Sequence, residues 1–346
     1  MHFRLGRVQP FATNLLIENR LVLFALLSLA LLFFLFPFSC SATEDAYLLE
    51  LKEKAREKRL WEQRRWQVLM HYKPNAFGSG VTSLVDSESF FLAPDGKTDP
   101  RSELEATLTG FFAPQVENDN KHHPQCAFIA RYHWLNHELG FDPKRLQPHP
   151  CSLFHNWISG INPHQVTLIF PVAFLNNPAS MFGHTLLRID TPTQNEHTRL
   201  LAYALSFAAH TQHERGLSYA VNGLFGGYPG RFSMVPYYLR VKEYGDIENR
   251  DIWEYRLDLT PSETRQMLRH AWELKSAHFD YFFLDENCSY HLLSLLEAAR
   301  PSLHLTDQYK WWVIPADTIR TVTEVPDILS GVMFRPARRT VMKERA

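Results

Sequence analysis

The stretch that decides the fold of this chain reads Asp285-Glu286-Asn287-Cys288-Ser289-Tyr290-His291-Leu292-Leu293. It follows an aromatic run ending at Phe283, and leucines at helical spacing continue beyond it, so it predicts the start of an α-helix. Asn287 is a favourable N-cap, which places Cys288 in the first turn. Unpaired N–H groups and the positive end of the helix dipole favour a thiolate there. Free cysteines are more often small buried apolar residues, so a catalytic role for Cys288 requires a partner.

A histidine far upstream supplies that partner. Gly183 precedes His184, and residues 184–190 form an alternating run that predicts a strand able to hold the imidazole rigidly. A thiolate and a histidine are the minimal set for acyl transfer through a thioester acyl-enzyme. The histidine takes the thiol proton and later returns it to the leaving group. We therefore predict Cys288 and His184 as the catalytic pair of a thiol acyltransferase or hydrolase.

A third polar group commonly orients the imidazole of such a pair. Tyr203, Ser206 and Asp190 are the candidates in this sequence. Ser206 is favoured because it lies on the next predicted strand, at a place that an antiparallel partner of the His184 strand could offer. We therefore add Ser206 to the predicted catalytic residues.

Other histidines give weaker signals. His291 lies three residues after Cys288, on nearly the same helix face, and is interpreted as a surface or capping histidine. A zinc site requires more clustered ligands than His122 and His123 beside Cys126 provide. We therefore predict no metal and no cofactor.

The first 42 residues are predicted to be an export signal. Arginines precede an uncharged apolar run over residues 21–38, and small residues follow it, which is the order of a secretory signal. The run is long for a cleaved signal, so an uncleaved inner-membrane anchor is the alternative. A lipoprotein signal at Cys40 is disfavoured by Pro37. Positive charge before the apolar run exports the rest of the chain in either case, so we predict a periplasmic or other extracytoplasmic location.

Export changes the interpretation of the cysteines. If Cys40 is removed, three cysteines remain, and an oxidising compartment leaves one thiol unpaired. Three pairings are possible. We predict that Cys126 and Cys151, which lie close in sequence among Pro- and His-rich loop residues, form the disulfide and that Cys288 stays reduced. Such a bridge stabilises the folded state by about 3 kcal/mol in the chain-entropy model.

Composition restricts the class of protein. The chain has 346 residues, 45% of them apolar and 21% charged, with a formal net charge of −1. Without a basic excess there is no signal for a nucleic-acid partner, and we predict none. No second apolar run as long as residues 21–38 occurs, so we expect the rest of the chain to form a water-soluble domain.

The pattern of elements predicts an α+β fold with an antiparallel sheet packed against the Cys288 helix. Strands are predicted over residues 166–174, 185–190, 200–208, 235–241 and 251–257, and a capping box at residues 260–263 starts a helix that runs to about residue 276. The glycine-rich stretch 222–230 is interpreted as a flap or wide turn. Residues 113–165 are read as loop-rich, with one helix near 132–139. We divide the mature chain into a helical and loop-rich N-terminal subdomain (43–165), a Cys/His catalytic core (166–300) and a C-terminal wrap without periodic pattern (301–346).

Three segments resemble a known family. They are Asn-Asn-Pro-Ala-Ser-Met-Phe-Gly-His-Thr-Leu-Leu-Arg-Ile-Asp at 176–190, Glu-Asn-Cys-Ser-Tyr-His-Leu-Leu at 286–293 and Phe-Leu-Ala-Pro-Asp-Gly-Lys at 91–97. Together they resemble the Lnb N-terminal periplasmic domain family over about residues 60–320. The order of a histidine on a strand followed by Asn-Cys at a helix start also resembles the circularly permuted, NlpC-type papain-like fold of lecithin:retinol acyltransferase.

The resemblance carries expectations about function. The family's namesake is a bacterial lipoprotein N-acyltransferase, which implies thioester chemistry with a phospholipid-derived acyl chain and a membrane lipid or lipoprotein as substrate. If residues 21–38 are not cleaved, they attach the chain to the membrane. Two alternatives stay open: a cell-wall amidase or peptidase of NlpC type, and a non-enzymatic envelope scaffold.

Overall fold

The structure is a computed structural model that describes residues 45–114, 123–172, 183–195, 197–211, 217–310 and 312–345. The chain divides into two compact units, Met1–Asp45 and Ala46–Ala346, and the described helices and strands belong to the second. The predicted export signal, including residues 21–38, lies outside the described residues. Within the described ranges, no helix has the length and apolar character needed to cross a bilayer.

Helices make up most of the N-terminal part of the second unit, and side-chain caps start several helices of this unit. At residues 100–111 the side chain of Asp99 accepts two backbone N–H groups, with Pro100 at the first helical position. At residues 261–274 Thr260 and Glu263 form the predicted capping box. The helices are α1 (Ala46–Glu57), α2 (Arg64–Leu69), α3 (Pro100–Phe111), α4 (Pro124–Ala127), α5 (Ile129–Leu139), α6 (Ser152–Ile161), α7 (Leu217–Leu224), α8 (Tyr237–Val241), α9 (Pro261–Leu274), α10 (Cys288–Ala299), α11 (Pro315–Thr323) and α12 (Arg338–Arg345).

A seven-stranded sheet forms the centre of the fold. Its strands are β3 (Gln165–Pro171), β4 (Leu186–Asp190), β5 (Tyr203–Ala209), β6 (Tyr228–Pro236), β7 (Ile252–Leu257), β8 (Phe279–Tyr281) and β9 (Leu329–Arg335). They lie in the order β8-β6-β5-β4-β3-β7-β9, and each neighbouring pair is antiparallel. Strands β1 (Tyr72–Pro74) and β2 (Val81–Ser83) pair separately. The chain is therefore a mixed α and β protein with an antiparallel sheet, as the sequence predicted.

Alternation along the strands gives the large sheet two apolar faces. Leu187 and Ile189 of β4 belong to the main core together with leucines of α9 and α10. Leu186, one residue out of phase, packs on the opposite face with Tyr237 and Tyr244. Helix α10 lies against β4 and β5. This packing brings the first turn of α10 next to the N-terminal end of β4, the central strand of the sheet.

The structure corrects the predicted elements in the C-terminal half. The glycine-rich stretch 222–230 is not a flap, because α7 ends within it at Leu224 and β6 starts at Tyr228. The strand expected over 235–241 is wrong as well. Strand β6 ends at Pro236, and residues 237–241 form α8, followed by a π-helical turn over Lys242–Ile247. The apolar residues there cover the second face of the sheet instead of extending it.

Two further segments are more regular than the sequence suggested. Residues 113–165 were expected to hold one helix near 132–139, but within the described part α6 also forms at Ser152–Ile161. The tail from residue 301 lacked a periodic pattern, yet it contains α11, α12 and strand β9, which pairs with β7. One face of β9 is half-buried and the other is exposed, and because Val332 and Phe334 lie on the exposed face the sequence lacks the alternation of apolar and polar residues that marks a strand.

The predicted disulfide is confirmed. Cys126 and Cys151 are bonded, and of the three cysteines in the described ranges Cys288 is free and is buried. His149 lies beside the bridge, with its Nδ1 3.3 Å from the Cys126 Sγ. In the described residues these three side chains form a cluster with possible metal-ligand atoms within 4.8 Å of one another. Because both sulfurs are engaged in the disulfide, this cluster offers no thiolate ligand.

Candidate active site

Cys288 lies at the start of α10, as predicted. The Asn287 side-chain oxygen accepts the backbone N–H groups of Ser289 and Tyr290, at 3.0 and 3.3 Å. The same amide donates to the carbonyls of Phe283 and Val313, at 3.2 and 2.7 Å. Asn287 thus both caps the helix and fixes the loop before it, because its donors and acceptors are all used. The Cys288 thiol is held in place and buried, with 1% of the residue exposed.

His184 is brought to this thiol by the turn before β4. Gly183 has φ of +99°, and a Cβ atom there would lie 2.5 Å from the Phe170 ring, so any larger residue is excluded. The His184 backbone N–H donates to the Pro171 carbonyl at 3.4 Å, which ties the turn to the end of β3. The half-buried imidazole is hydrogen-bonded to the Cys288 thiol. The structure therefore joins the two residues that the sequence predicted as a pair.

The electrostatics of the site favour a thiolate. Burial alone would raise the pKa of the Cys288 thiol, but the charge and hydrogen bond of His184 act against it. The Thr185 backbone N–H and the Ser289 hydroxyl add hydrogen bonds to the sulfur. Together these groups lower the Cys288 pKa from 9.0 to about 7. A large fraction of the thiol is therefore ionised near neutral pH, which is what a nucleophile requires.

Two tyrosines complete the surroundings of the sulfur, and sequence reasoning missed both. The Tyr281 hydroxyl accepts the Cys288 backbone N–H at 3.4 Å and also hydrogen-bonds the Cys288 side chain. Burial first, and then the charge of Cys288, raises the Tyr281 pKa well above its usual value, so the hydroxyl keeps its proton. The Tyr244 ring lies 6.1 Å from the His184 ring. Tyr281 belongs to an aromatic run typical of a core strand, so only its register against Cys288 reveals it.

The structure shows where the candidates for the group that orients the His184 imidazole lie. The Ser206 hydroxyl is 3.1 Å from that of Ser233 and accepts a hydrogen bond from Arg240 at 3.4 Å. Asp190 pairs with Arg188 at 2.7 Å. Across the described ranges, no hydrogen bond joins Ser206, Asp190 or Tyr203 to His184. The orienting role assigned to Ser206 stays a prediction.

His291 is not a surface histidine, contrary to the interpretation from sequence. It is fully buried, and its ring lies 4.1 Å from that of Phe207 and 4.3 Å from that of Phe279. Burial lowers its pKa well below the usual value. Among the described atoms neither ring nitrogen has a hydrogen-bond partner. The neutral ring therefore acts as packing beneath the first turn of α10.

The loop before Cys288 carries carboxyl groups of altered acidity. Burial, ahead of the opposing charge of Lys73, raises the Glu286 pKa to about 7. Burial also raises the Asp285 pKa, again opposed by Lys73. The shift of Glu286 reduces the negative charge next to the thiol at neutral pH. The acidic neighbours therefore oppose the thiolate less than their sequence positions suggest.

Comparison with known protein families identifies the segment that contains these residues. The family model described as the Lnb N-terminal periplasmic domain matches residues 153–325, half of the chain, and this match includes both His184 and Cys288. The chain belongs to the Lnb N-terminal periplasmic domain family. A second model, a domain of unknown function named DUF7843, matches residues 58–138. No curated protein and no solved structure matches the chain.

Family membership agrees with the location expected from the sequence. As a member of a periplasmic-domain family, the chain is assigned an extracytoplasmic location and a role in the cell envelope.

The resemblance noted from sequence was expected to cover about residues 60–320. The match to the Lnb domain begins at residue 153, and helices α2, α3 and α5 belong to the segment matched by the DUF7843 model.

Proposed function

We propose that this protein is an envelope acyltransferase that forms a thioester on Cys288. The observation that carries the proposal is the buried Cys288 thiol, hydrogen-bonded to His184, with a pKa lowered to about 7. A thiolate–imidazolium pair at a capped helix N-terminus is the arrangement that acyl transfer requires. The acyl-transfer chemistry of such a pair uses side chains that this chain supplies.

Each half-reaction uses the same two side chains. In the first, the Cys288 sulfur attacks the carbonyl carbon of an ester, the C–S bond forms, and the C–O bond breaks. The leaving alcohol takes the proton from the His184 imidazolium. In the second, an amine attacks the thioester carbonyl, the C–N bond forms, and the C–S bond breaks. His184 accepts the proton of the amine, and the thiolate is restored.

Tyr281 is suited to stabilise the oxyanion of each tetrahedral intermediate. Its hydroxyl lies next to the Cys288 backbone N–H, and the raised pKa keeps the hydroxyl proton available. A fixed O–H beside the attacking sulfur is a donor of the type found in oxyanion holes. We therefore assign this role to the Tyr281 hydroxyl, whose oxygen accepts the Cys288 N–H.

Exposed apolar side chains beside the site favour a lipid as acyl donor. The loop leading to Cys288 is held by hydrogen bonds from Phe283 N to Gly223 O, 2.7 Å, and from Val313 N to Leu284 O, 2.8 Å. Next to these anchor points, Phe225 is 78% exposed and Trp312 is 65% exposed. Large apolar groups this exposed are typical of surfaces that contact lipid or a partner. We propose a membrane lipid or lipoprotein as the substrate.

We also propose the fold of the core, the domain boundaries, the third catalytic residue and the role of residues 21–38. The core is a circularly permuted papain-like fold of NlpC type, since the histidine strand precedes the cysteine helix in the chain and packs against it. The domain boundaries are those predicted, 43–165, 166–300 and 301–346. Ser206 is the third catalytic residue, and residues 21–38 anchor the chain in the inner membrane if they are not cleaved.

A cell-wall amidase or peptidase is the second candidate, and one observation favours it. The carboxyl groups of Asp86, Asp280, Asp285 and Glu286 lie close enough to affect one another at the loop before Cys288. An acidic cluster of this kind would suit an amine-bearing peptide. In that case water or an amine of the peptide resolves the acyl-enzyme.

Intact mass spectrometry tests the proposal. The purified protein is incubated with phosphatidylethanolamine vesicles or with muropeptides, and an adduct is sought with and without neutral hydroxylamine, which cleaves thioesters. We expect a fatty-acyl mass on the wild type that is lost with hydroxylamine and absent from Cys288→Ala. His137→Ala, a change at an exposed histidine, serves as the control. A peptidyl adduct would select the amidase, and no adduct with either substrate would contradict both.

A further inference from the structure

A pocket of about 590 Å³ opens between α5, α6 and α9. None of the residues of the Cys288 site contributes to its walls, so it is a separate feature of the fold. Its volume falls in the range of small-molecule binding pockets. We refer to it as the interhelix pocket.

The charged groups of this pocket are of one sign. These are Arg265 and Arg269, which lie one turn apart on α9 and line the pocket beside the imidazole rings of His133 and His155. No aspartate or glutamate occurs among the described residues of its wall. The Arg269 guanidinium donates to Gln266 at 3.2 Å, and within the described part of the chain neither arginine has an ion pair. The pocket therefore holds positive charge that no described carboxylate neutralises.

The pKa values of Arg269 and His133 reflect this excess of positive charge. Burial first, and then the neighbouring Arg265, lowers the Arg269 pKa. Burial, followed by the charge of Arg269, lowers the His133 pKa to about 4. Arg269 is half-buried beside the exposed Arg265, and a partly buried cation next to a like charge is costly without an opposite charge. An anion entering the pocket would relieve both effects.

Part of the remaining wall is apolar. Ile129, Phe154 and Ile158 line it, next to the disulfide at Cys151. A small inorganic anion would leave this surface unfilled, whereas an anion with an apolar body would use both parts. The guanidinium groups suit a phosphate or carboxylate, whose oxygens accept paired N–H donors.

The pocket also lies where two family segments meet. All but the last residue of α5 lies in the segment matched by the DUF7843 model. All but the first residue of α6, and the whole of α9, lie in the Lnb match. A ligand in the pocket would therefore contact both segments. A bound ligand would stabilise their association, because it binds only the assembled form.

We propose that the interhelix pocket binds an organic anion with one phosphate or carboxylate group on a short apolar chain. Arg265 and Arg269 hold the anionic group, and the apolar wall holds the chain. This binding is independent of the thioester chemistry proposed for Cys288.

Calorimetric titration of the full chain tests this with four probes: hexyl phosphate, hexanoate, hexanol and inorganic phosphate. We expect hexyl phosphate or hexanoate to bind at least tenfold more tightly than hexanol and inorganic phosphate, and affinity to fall with added salt. The stronger of the two identifies the headgroup. Equal affinity for hexyl phosphate and hexanol, or no binding of any probe at millimolar concentration, would overturn the proposal.

Variants locate the binding. Arg265→Gln with Arg269→Gln should weaken binding at least tenfold, and so should Ser159→Glu, which adds a carboxylate at an exposed position of the wall without removing any packed group. Arg320→Gln, at an arginine 68% exposed on α11, is the matched control and should bind as the wild type does. Cys288→Ala should also bind normally. Unchanged affinity in the pocket variants, or loss in Cys288→Ala, would place the ligand elsewhere.

Discussion

Replacing His184 by alanine tests the proposed catalytic pair most directly. The charge of His184 is the largest influence that lowers the Cys288 pKa, and burial opposes it. Without the imidazole, burial dominates, and the pKa should rise from about 7 to at least its usual value of 9.0. At pH 7 the thiolate fraction then falls from about one half to about 1%, roughly a 50-fold loss.

The reactivity of each thiolate moves in the opposite direction. A thiolate of higher pKa is intrinsically more nucleophilic, with a Brønsted slope of about 0.4–0.5, so two pKa units make it roughly 8-fold more reactive. The net loss in alkylation rate at pH 7 is therefore only about 6-fold. Above about pH 8 the variant should react faster than the wild type, and the two pH profiles should cross.

The assay is the rate of Cys288 alkylation by iodoacetamide between pH 5 and 10, measured on folded protein. His184→Gln keeps a hydrogen-bonding group without the charge, and its apparent pKa should lie closer to that of the alanine variant than to the wild type. His137→Ala, at an exposed histidine, is the control and should leave the profile unchanged. Superimposable profiles for the wild type and His184→Ala, both with a pKa near 9, would refute the pairing.

Three further predictions concern groups around the site and the disulfide. Tyr281→Phe should lower the rate of acyl transfer by about 10²-fold or more, as loss of an oxyanion donor does, while the thiol can still be alkylated; an unchanged rate would remove Tyr281 from the mechanism. Asn287→Ala should reduce the free energy of unfolding in urea by about 2–4 kcal/mol, because a cap is lost and two buried carbonyls lose their donor; a loss below about 0.5 kcal/mol would contradict this. Replacing Cys126 and Cys151 by serine should cost about 3 kcal/mol in the same measurement, without altering Cys288 alkylation in the folded state.

Local sequence determined the parts of the fold that depend on a few neighbouring residues. Asn287 and Thr260 announce helix starts because their side chains satisfy N–H groups within three residues. The alternating run at residues 186–190 predicts a strand because one of its faces is buried against α10. The pairing of Cys126 with Cys151 followed from cysteine arithmetic and export, without knowledge of the fold.

Other features depend on contacts between distant segments. Strand β6 ends at Pro236, which has no N–H to continue the ladder, but that Tyr237 then turns back to cover the second face of the sheet follows only from tertiary packing. His291 is buried because α10 is enclosed on all sides, whereas its sequence position on a helix suggested a surface.

The same division applies to the candidate site. The sequence identified Cys288 and His184 because each occupies a locally recognisable position, a helix start and a strand start. It did not identify Tyr281, whose hydroxyl reaches Cys288 only because β8 runs beside β6 at the edge of the sheet. The pKa of the thiol is likewise a tertiary property. Burial raises this pKa, and the imidazole of His184, 104 residues away in sequence, lowers it. Only the packing of α10 on β4 brings the two side chains together.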